Sequence, residues 1–135
     1  MKYKILIVCA NYYSDISNNL LKDAKTTLKS KTKYQLINVP GVFEIPVIIA
    51  KNIKKYHGFI ALGCVIKGET PHFDFISNTT INAIMNLSIV HKKPIGNGIL
   101  TCNNIKQATK RADPNIKDKG GDAATAIISV YDKIK

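Results

Sequence analysis

The sequence predicts an α/β protein, a three-layer α/β/α sandwich around a four-stranded parallel sheet. Predicted strands alternate four times with segments of helical periodicity along the 135 residues, and the first strand, at residues 3–9, is a short continuous apolar run. Apolar runs without an alternating polar face are typical of strands buried on both sides, as in parallel sheets. Parallel neighbours are joined by right-handed crossovers, which place helices on both faces of the sheet. The alternation continues through the chain, so residues 1–135 are expected to form a single domain.

The first half of the chain predicts two strands and two helices. Residues 3–9 are a short continuous apolar run and form the first strand, and residues 34–39 make the second strand. The helix between them follows a polar turn and carries apolar residues at helical spacing: Leu20, Leu21, Ala24 and Leu28. The second strand ends at Pro40-Gly41, since proline lacks an N–H donor and glycine tolerates a turn. Glu44 is expected to open the next helix, which directs three apolar residues inward: Val47, Ile48 and Ile49.

The third and fourth strands are expected at residues 59–66 and 94–101, with a long helix over residues 72–91 between them. The fourth strand contains Gly96 and Gly98. Glycine inside a strand suggests that a ligand or another backbone approaches closely at that point.

Two helices are expected after the fourth strand. Asn103-Asn104 caps a short helix that ends near Ala112. The last helix directs four apolar residues toward the core: Ala123, Ile127, Val130 and Ile134. His57 and His91 lie beside lysines at the ends of earlier helices, where they are expected to be solvated and favoured by the helix dipole.

The net charge of +11 comes almost entirely from lysines that are scattered along the chain, and Arg111 is the only arginine. Proteins that bind nucleic acid are expected to cluster arginine and lysine, so the distribution favours solvated lysines that attract small anions over a nucleic-acid partner. No apolar run reaches the roughly 18 residues needed to span a bilayer. We therefore expect neither a nucleic-acid nor a membrane partner, and a location in the cytoplasm.

The three cysteines each lie in or at the end of an apolar run: Cys9, Cys64 and Cys102. Their spacing is not that of metal ligands, and an odd number argues against a closed set of disulfides. They are expected to be buried free thiols.

In a parallel α/β sheet, ligands bind beyond the carboxyl ends of the strands. These ends are expected at residues 11–14, 40–44, 67–72 and 101–104. Residues 67–72 join a buried strand to a helix N-terminus, an arrangement that can bind an anion, and His72 at its end can transfer protons near neutral pH. The local sequence alone also allows an ordinary loop with a surface histidine.

Three segments together identify a family. They are Pro40-Gly41-Val42-Phe43-Glu44-Ile45-Pro46, residues 63–74 with the sequence GCVIKGETPHFD, and residues 119–124 with the sequence KGGDAA. Their order and spacing resemble lumazine synthase over essentially the whole chain. The resemblance implies a flavodoxin-like fold and the penultimate step of riboflavin biosynthesis. In that step 5-amino-6-(D-ribitylamino)uracil condenses with 3,4-dihydroxy-2-butanone 4-phosphate to give 6,7-dimethyl-8-ribityllumazine, phosphate and water. No metal or organic cofactor is expected.

The resemblance also implies roles for individual residues in proton transfer and phosphate binding. His72 matches the proton-transferring histidine of the family, and Asp122 resembles the acidic residue that pairs with it. The phosphate of the butanone would bind to the loop that contains Gly68, Glu69 and Thr70, and to Arg111, whose planar guanidinium can form two parallel hydrogen bonds. Lys119 would be a second cation.

For the ribitylaminouracil, the resemblance implies an aromatic stacking surface at Tyr12. Three further groups of residues would contact this substrate: Val42, Phe43 and Glu44, then Cys64, Val65 and Ile66, and finally Asn97. Asn97 departs from the family because many members have phenylalanine there, so an amide hydrogen bond would replace stacking. Lys67 replaces a commoner arginine, which keeps the charge but loses the bidentate geometry.

Family members bind substrate between adjacent subunits of a pentamer, which implies a homo-oligomer, either a pentamer or an assembly of pentamers. His72 and Glu44 of one subunit would then face Asn97 and Arg111 of a neighbour. Riboflavin synthase is a candidate partner protein. The alternative function is a non-catalytic flavin- or phosphate-binding module on the same fold.

Overall fold

A computed structural model describes residues 3–28 and 32–134, and its sheet is parallel throughout. The strands are β1 (Tyr3–Ala10), β2 (Thr32–Val39), β3 (Gly58–Ile66) and β4 (Ile95–Cys102). Their order is β2-β1-β3-β4, so β1 and β3 are central and β2 and β4 are edge strands. The expected four-stranded parallel sheet is confirmed.

The helices are α1 (Ser14–Leu28), α2 (Ile45–Lys51), α3 (His72–His91), α4 (Ile105–Ala112) and α5 (Lys119–Ile134). A 3₁₀ turn, Val42–Glu44, precedes α2. Helices α1, α4 and α5 pack on one face of the sheet, and α2 and α3 pack on the other. The side chains of β1 alternate between these two cores, which explains why its sequence is apolar without interruption. The three-layer sandwich is therefore confirmed as well. Within the described ranges, no helix has both the length and the apolar character that a membrane span requires.

Three residues that were expected in the core are exposed. Val47 on the short helix α2 is 65% exposed, because Ile45 and Ile49, one turn apart, are the residues that face the sheet. Val130 and Ile134 on α5 lie beyond Ala123 and Ile127, which cover the sheet, and they line a shallow groove against the C-terminal end of α3.

The two glycines of β4 lie where neighbouring atoms leave no room for a side chain. A Cβ atom at Gly96 would lie 2.3 Å from the carbonyl oxygen of Ala123 in α5. A Cβ atom at Gly98 would lie 2.5 Å from the Leu62 side chain of β3. Of the two alternatives left by the sequence, the structure thus supports close packing at Gly96, and this packing brings α5 onto the edge strand.

His57 is bound to the first strand and is not simply a solvated helix end. Its Nδ1 accepts a hydrogen bond from the backbone N–H of Lys4 at 2.8 Å, and its own backbone N–H donates to the Lys4 carbonyl at 2.8 Å. Its ring lies edge-on to Tyr131, with the ring centroids 5.5 Å apart. The histidine therefore fastens the segment before β3 to β1. The expected cap at Asn104 is confirmed, because its side chain accepts from the backbone N–H of Gln107 at 2.9 Å.

Asp23 is a buried carboxylic acid between α1 and the start of α5. It is 7% exposed, and its Oδ2 atom has no hydrogen-bond partner within residues 3–28 and 32–134. Burial, with smaller contributions from the carboxylates of Asp118 and Asp113 and an opposing one from Lys22, raises the pKa of Asp23 to about 6. An unfolded aspartate has a pKa of about 3.9, so between these two values the folded state binds more protons than the unfolded state. Stability is therefore lost as the pH rises through this range.

The substitution Asp23→Asn is expected to raise the free energy of unfolding by about 2 kcal/mol at pH 7 and by less than about 1 kcal/mol at pH 4. The amide removes the ionisation that the folded state disfavours, and at pH 4 the wild-type carboxyl is neutral in the folded state and only about half ionised in the unfolded state. Denaturant titrations at the two pH values measure the difference. Glu69→Gln in an exposed loop is the control, with no such pH dependence expected. An equal gain at both pH values would show that ionisation of Asp23 is not the cause.

Candidate active site

Two concave sites lie near the carboxyl edge of the sheet, and they share no residue. Cavity A has a volume of about 340 Å³ and is lined by Tyr12, Tyr13, Gly41, Val42, Phe43, Cys64, Val65, Ile66, His72 and Ile76. Cavity B has a volume of about 380 Å³ and is lined by Ile81, Asn97, Ile99, Leu100, Thr101, Arg111, Lys117, Lys119 and Asp122.

Cavity A is formed where four segments meet: the turn after β1, the 3₁₀ turn, the end of β3 and the first turn of α3. Gly63 of β3 allows the 3₁₀ turn to pack closely, since a Cβ atom there would lie 2.6 Å from Val42 Cγ1. The backbone N–H of Gly41 donates to Glu44 Oε1 at 3.0 Å, and the Glu44 N–H donates to the Gly41 carbonyl at 3.2 Å. These contacts hold Val42 and Phe43 against the strand end.

Aromatic rings form the outer wall of cavity A. Tyr12 is 77% exposed and Phe43 is 55% exposed, so both offer apolar ring surface to a ligand. The ring of Tyr13 lies edge-on to that of Tyr12, with centroids 4.9 Å apart, and supports it from the protein side. Burial raises the pKa of Tyr13 above its usual value, so its phenol remains a neutral hydrogen-bond donor.

His72 begins α3 and is exposed at the rim of cavity A. Its backbone N–H lies 3.4 Å from Thr70 Oγ1, whereas its imidazole has no hydrogen-bond partner among the described residues. The backbone N–H groups of Gly68, Glu69 and Thr70 likewise donate to no acceptor in that part of the chain. An unengaged imidazole next to free N–H donors and a helix N-terminus can exchange protons with a bound anion or its neighbours.

Cys64 contributes to the floor of cavity A through the end of β3. Burial, followed by interaction with the neighbouring thiol of Cys102, raises the pKa of Cys64 to about 12. A thiol with this pKa is protonated at neutral pH and is a poor nucleophile. The expectation of buried free thiols is confirmed for all three cysteines.

Cavity B is a cationic site at the edge strand. Arg111 of α4, together with Lys117 and Lys119, faces one carboxylate, that of Asp122 in the first turn of α5. The excess of positive charge and the guanidinium suit an anion such as a phosphate ester. Asn97 also lines the cavity, and its Oδ1 accepts from the backbone N–H of Ile99 at 3.0 Å. Its amide NH₂ group is the part that remains for a ligand.

The structure divides the residues predicted from the sequence between the two cavities. Seven line cavity A, and four line cavity B: Asn97, Arg111, Lys119 and Asp122. Four line neither cavity and belong to segments next to cavity A: Glu44, Gly68, Glu69 and Thr70. His72 and Asp122, which the resemblance pairs, therefore lie in different cavities of one chain. His72 and Ile81 of cavity B are separated by roughly 13 Å along the axis of α3.

Sequence reasoning missed several lining residues. Tyr13 and Ile76 belong to cavity A, and Thr101 and Lys117 belong to cavity B. Tyr13 adjoins a predicted site residue, and its aromatic character was a usable signal. Lys117 gave no signal, since lysines are spread over the whole sequence.

Comparisons with known proteins agree on one family. A family model described as 6,7-dimethyl-8-ribityllumazine synthase matches residues 2–135. A protein of that name from Bartonella tribocorum is 47% identical over 94% of this chain and 87% of its own length. One from Agrobacterium fabrum is 44% identical over 97% of this chain and 94% of its own length. One from Methylocella silvestris is 45% identical over 93% of this chain and 82% of its own length.

Proposed function

The chain belongs to the 6,7-dimethyl-8-ribityllumazine synthase family, and from this premise we propose that it condenses 5-amino-6-(D-ribitylamino)uracil with 3,4-dihydroxy-2-butanone 4-phosphate. The products are 6,7-dimethyl-8-ribityllumazine, phosphate and water. The observation that carries this proposal is cavity A, which combines an exposed aromatic platform with an unengaged histidine.

The reaction begins when the amino group of the uracil attacks the ketone of the butanone. Loss of water from the adduct gives an imine, and this step needs a proton donor for the departing hydroxyl group. Phosphate then leaves, and ring closure releases a second water. His72 is assigned to these proton transfers, because its exposed imidazole lines cavity A and can serve as both a proton donor and a proton acceptor.

The ribitylaminouracil needs an aromatic surface and hydrogen-bonding groups, whereas the butanone phosphate needs cations and N–H donors. Tyr12 would stack on the pyrimidine, which is worth on the order of 0.5–1.5 kcal/mol beyond area burial. Backbone groups at Cys64 and Ile66 would meet the edge of the pyrimidine. The ribityl hydroxyls would donate to Glu44, since only its Oε1 has a partner within the described residues.

Phosphate carries more negative charge as it leaves, so cations and N–H groups aimed at it favour the transition state. The backbone N–H groups of Gly68, Glu69 and Thr70 supply donors on the side of His72. Arg111 and Lys119 supply cations in cavity B. A complete site therefore needs cavity A and cavity B together.

We assign the two cavities of one active site to two neighbouring copies of the chain. Strand β4 is an edge strand, so cavity B opens onto a surface that another copy can cover. Exposed apolar residues continue this surface along α3 and α5: Met85, Ile89, Val130 and Ile134. An apolar edge of this kind supports a homo-oligomer, with the pentamer of the family as the proposed ring.

Mixing the purified protein with the two substrates tests the proposal directly. The absorbance and fluorescence of the lumazine should rise faster than in the uncatalysed condensation. Denatured protein at the same concentration is the control for non-specific acceleration, and His72→Ala protein purified in the same way is the control for contaminating enzymes. A rate equal to the uncatalysed rate would reject the enzyme and leave the non-catalytic flavin- or phosphate-binding module, which titration with inorganic phosphate and riboflavin would detect.

The substitution Arg111→Ala is expected to raise KM for the butanone phosphate about tenfold and to leave KM for the ribitylaminouracil unchanged. Charge-assisted hydrogen bonds to phosphate are worth roughly 1.5–3 kcal/mol, which corresponds to tenfold or more. Steady-state kinetics with each substrate varied in turn measure the effect. Lys110→Ala on an adjacent exposed position of α4 is the matched loss of charge, and it should change neither KM. An unchanged KM for the phosphate substrate would remove Arg111 as its anchor.

A further inference from the structure

Arg111 is attached to the end of β4 through a single nitrogen. Its Nη1 group donates to the carbonyl oxygen of Thr101 at 3.3 Å and lies 3.4 Å from the sulfur of Cys102. Arg111 itself is exposed on the last turn of α4, whereas Cys102 is 1% exposed. The buried Cys102 thus contacts the guanidinium of Arg111, a long side chain that would otherwise sample many rotamers.

Cys102 is well fixed within the core. Its backbone carbonyl accepts from the N–H of Lys67 at 2.9 Å, which ties β4 to the loop that follows β3. Its side chain belongs to the core between the sheet and α1, α4 and α5, where it lies beside the thiol of Cys64. The sulfur therefore has a defined position relative to both the loop at residues 67–70 and the guanidinium.

The remaining donors of the guanidinium are free. Arginine has five N–H groups in a planar fork, and Nη1 is the only nitrogen of Arg111 with a partner in the described part of the chain. Nε and Nη2 form one edge of the fork, which can bind two oxygens of a phosphate in parallel. Anchoring Nη1 thus leaves a complete bidentate edge for the ligand.

The geometry points to Cys102 as a positioning residue for phosphate binding: its sulfur, with the Thr101 carbonyl, holds Nη1 so that the Nε–Nη2 edge of Arg111 faces cavity B. This role rests on the proposed function, in which Arg111 binds the phosphate of the butanone. Cys102 itself contacts no substrate. It restricts the orientations that the guanidinium of Arg111 samples before the phosphate binds, so less conformational entropy is lost on binding.

Three substitutions separate this role from ordinary packing. Cys102→Ser keeps an acceptor, whereas Cys102→Ala and Cys102→Val remove it while decreasing and increasing the side-chain volume. The Ala and Val variants are expected to raise KM for the butanone phosphate about three- to fivefold, with kcat and KM for the ribitylaminouracil within about twofold of wild type. The Ser variant should stay within about twofold of wild type in all three constants. Cys9→Ala, at an equally buried thiol without an arginine neighbour, should leave KM unchanged.

Thermal unfolding of the same variants supplies the second readout. If Cys102 is a positioning residue, KM for the butanone phosphate should be low in variants with an acceptor at residue 102 and high in variants without one. This order should hold whatever the order of the melting temperatures. KM values that rank with the melting temperatures, or that match wild type in the Ala and Val variants, would overturn it. In an Arg111→Ala background, Cys102→Ala should have no further effect on KM, and an undiminished effect would also overturn the role.

Failure of the proposed function would give results that differ from those that overturn the positioning role of Cys102. Wild-type protein would then produce no lumazine, or Arg111→Ala would leave KM unchanged. Titration calorimetry with inorganic phosphate still tests the inference in that case. The wild-type and Ser proteins should bind phosphate about three- to fivefold more tightly than the Ala and Val variants, and equal affinities would reject the positioning role.

Discussion

Replacing His72 by alanine is expected to lower kcat for lumazine formation about 100-fold, while both KM values stay within about threefold of wild type. General acid–base residues typically contribute about 10²- to 10⁴-fold. The low end is expected because the two substrates also condense without a catalyst, so positioning in cavity A retains part of the acceleration. The imidazole makes no hydrogen bond to the described residues, so its removal disturbs no packing.

His91→Ala is the matched control for this experiment. His91 is also exposed and lies at the opposite end of the same helix, so its loss should change neither kcat nor KM. Steady-state rates followed by lumazine absorbance, with the uncatalysed rate subtracted, give kcat for each variant. A wild-type kcat in the His72 variant would remove this residue from the mechanism. A comparable decrease in kcat for the His91 variant would indicate that both substitutions damage α3, and that the effect at His72 is not the loss of a proton donor.

The centre of the sheet could be predicted from the sequence because β1 and β3 are apolar over almost their whole length. In β1, Ile7 and Cys9 face the core with α1, while Leu6 and Val8 face the core with α2. A short run of apolar residues without an alternating polar face is typical of a strand that is buried on both faces, so such a run identifies a central strand of a parallel sheet. The long helix α3 was predicted at its observed bounds because a proline precedes it and lysines follow it.

The core-facing sides of α2 and α5 were less predictable. Helical spacing shows which residues share a face, but it does not show where the sheet ends under that face. Val130 follows Ile127 on the same side of α5, yet it is exposed because it lies outside the area that β4 covers. His57 was misjudged for a related reason, since its partner Lys4 belongs to a strand far away in the sequence.

Most residues of the candidate site were predicted from the sequence motifs of the family, and fewer from strand and helix patterns alone. The residues of cavity A come from the ends of β1, β2 and β3, and the parallel sheet alone brings these ends to one edge. Cavity B also lies toward that edge, and nothing in the sequence pattern separates the two. The contact of Arg111 with Cys102 could not be predicted either, because it depends on how α4 returns over the end of β4.

Mixing two impaired variants tests the division of the active site between copies of the chain. His72→Ala damages cavity A only, and Arg111→Ala damages cavity B only. If one active site combines cavity A of one copy with cavity B of a neighbour, some sites in a mixed oligomer receive both intact halves. Random assembly from an equimolar mixture makes each half intact with even odds, so about a quarter of the wild-type activity should return.

The experiment requires co-refolding of the two variants from denaturant, so that subunits mix before they assemble. Activity is measured at a butanone phosphate concentration below the wild-type KM, where each variant alone should retain about a tenth of the wild-type rate or less. A mixture of His72→Ala with the double variant His72→Ala/Arg111→Ala is the control, because every site then lacks the His72 side chain of cavity A. Recovery in the first mixture but not in the second requires cavities from different copies. If neither mixture recovers, His72 and Arg111 act from the same chain, and the assignment of the two cavities to different copies is rejected.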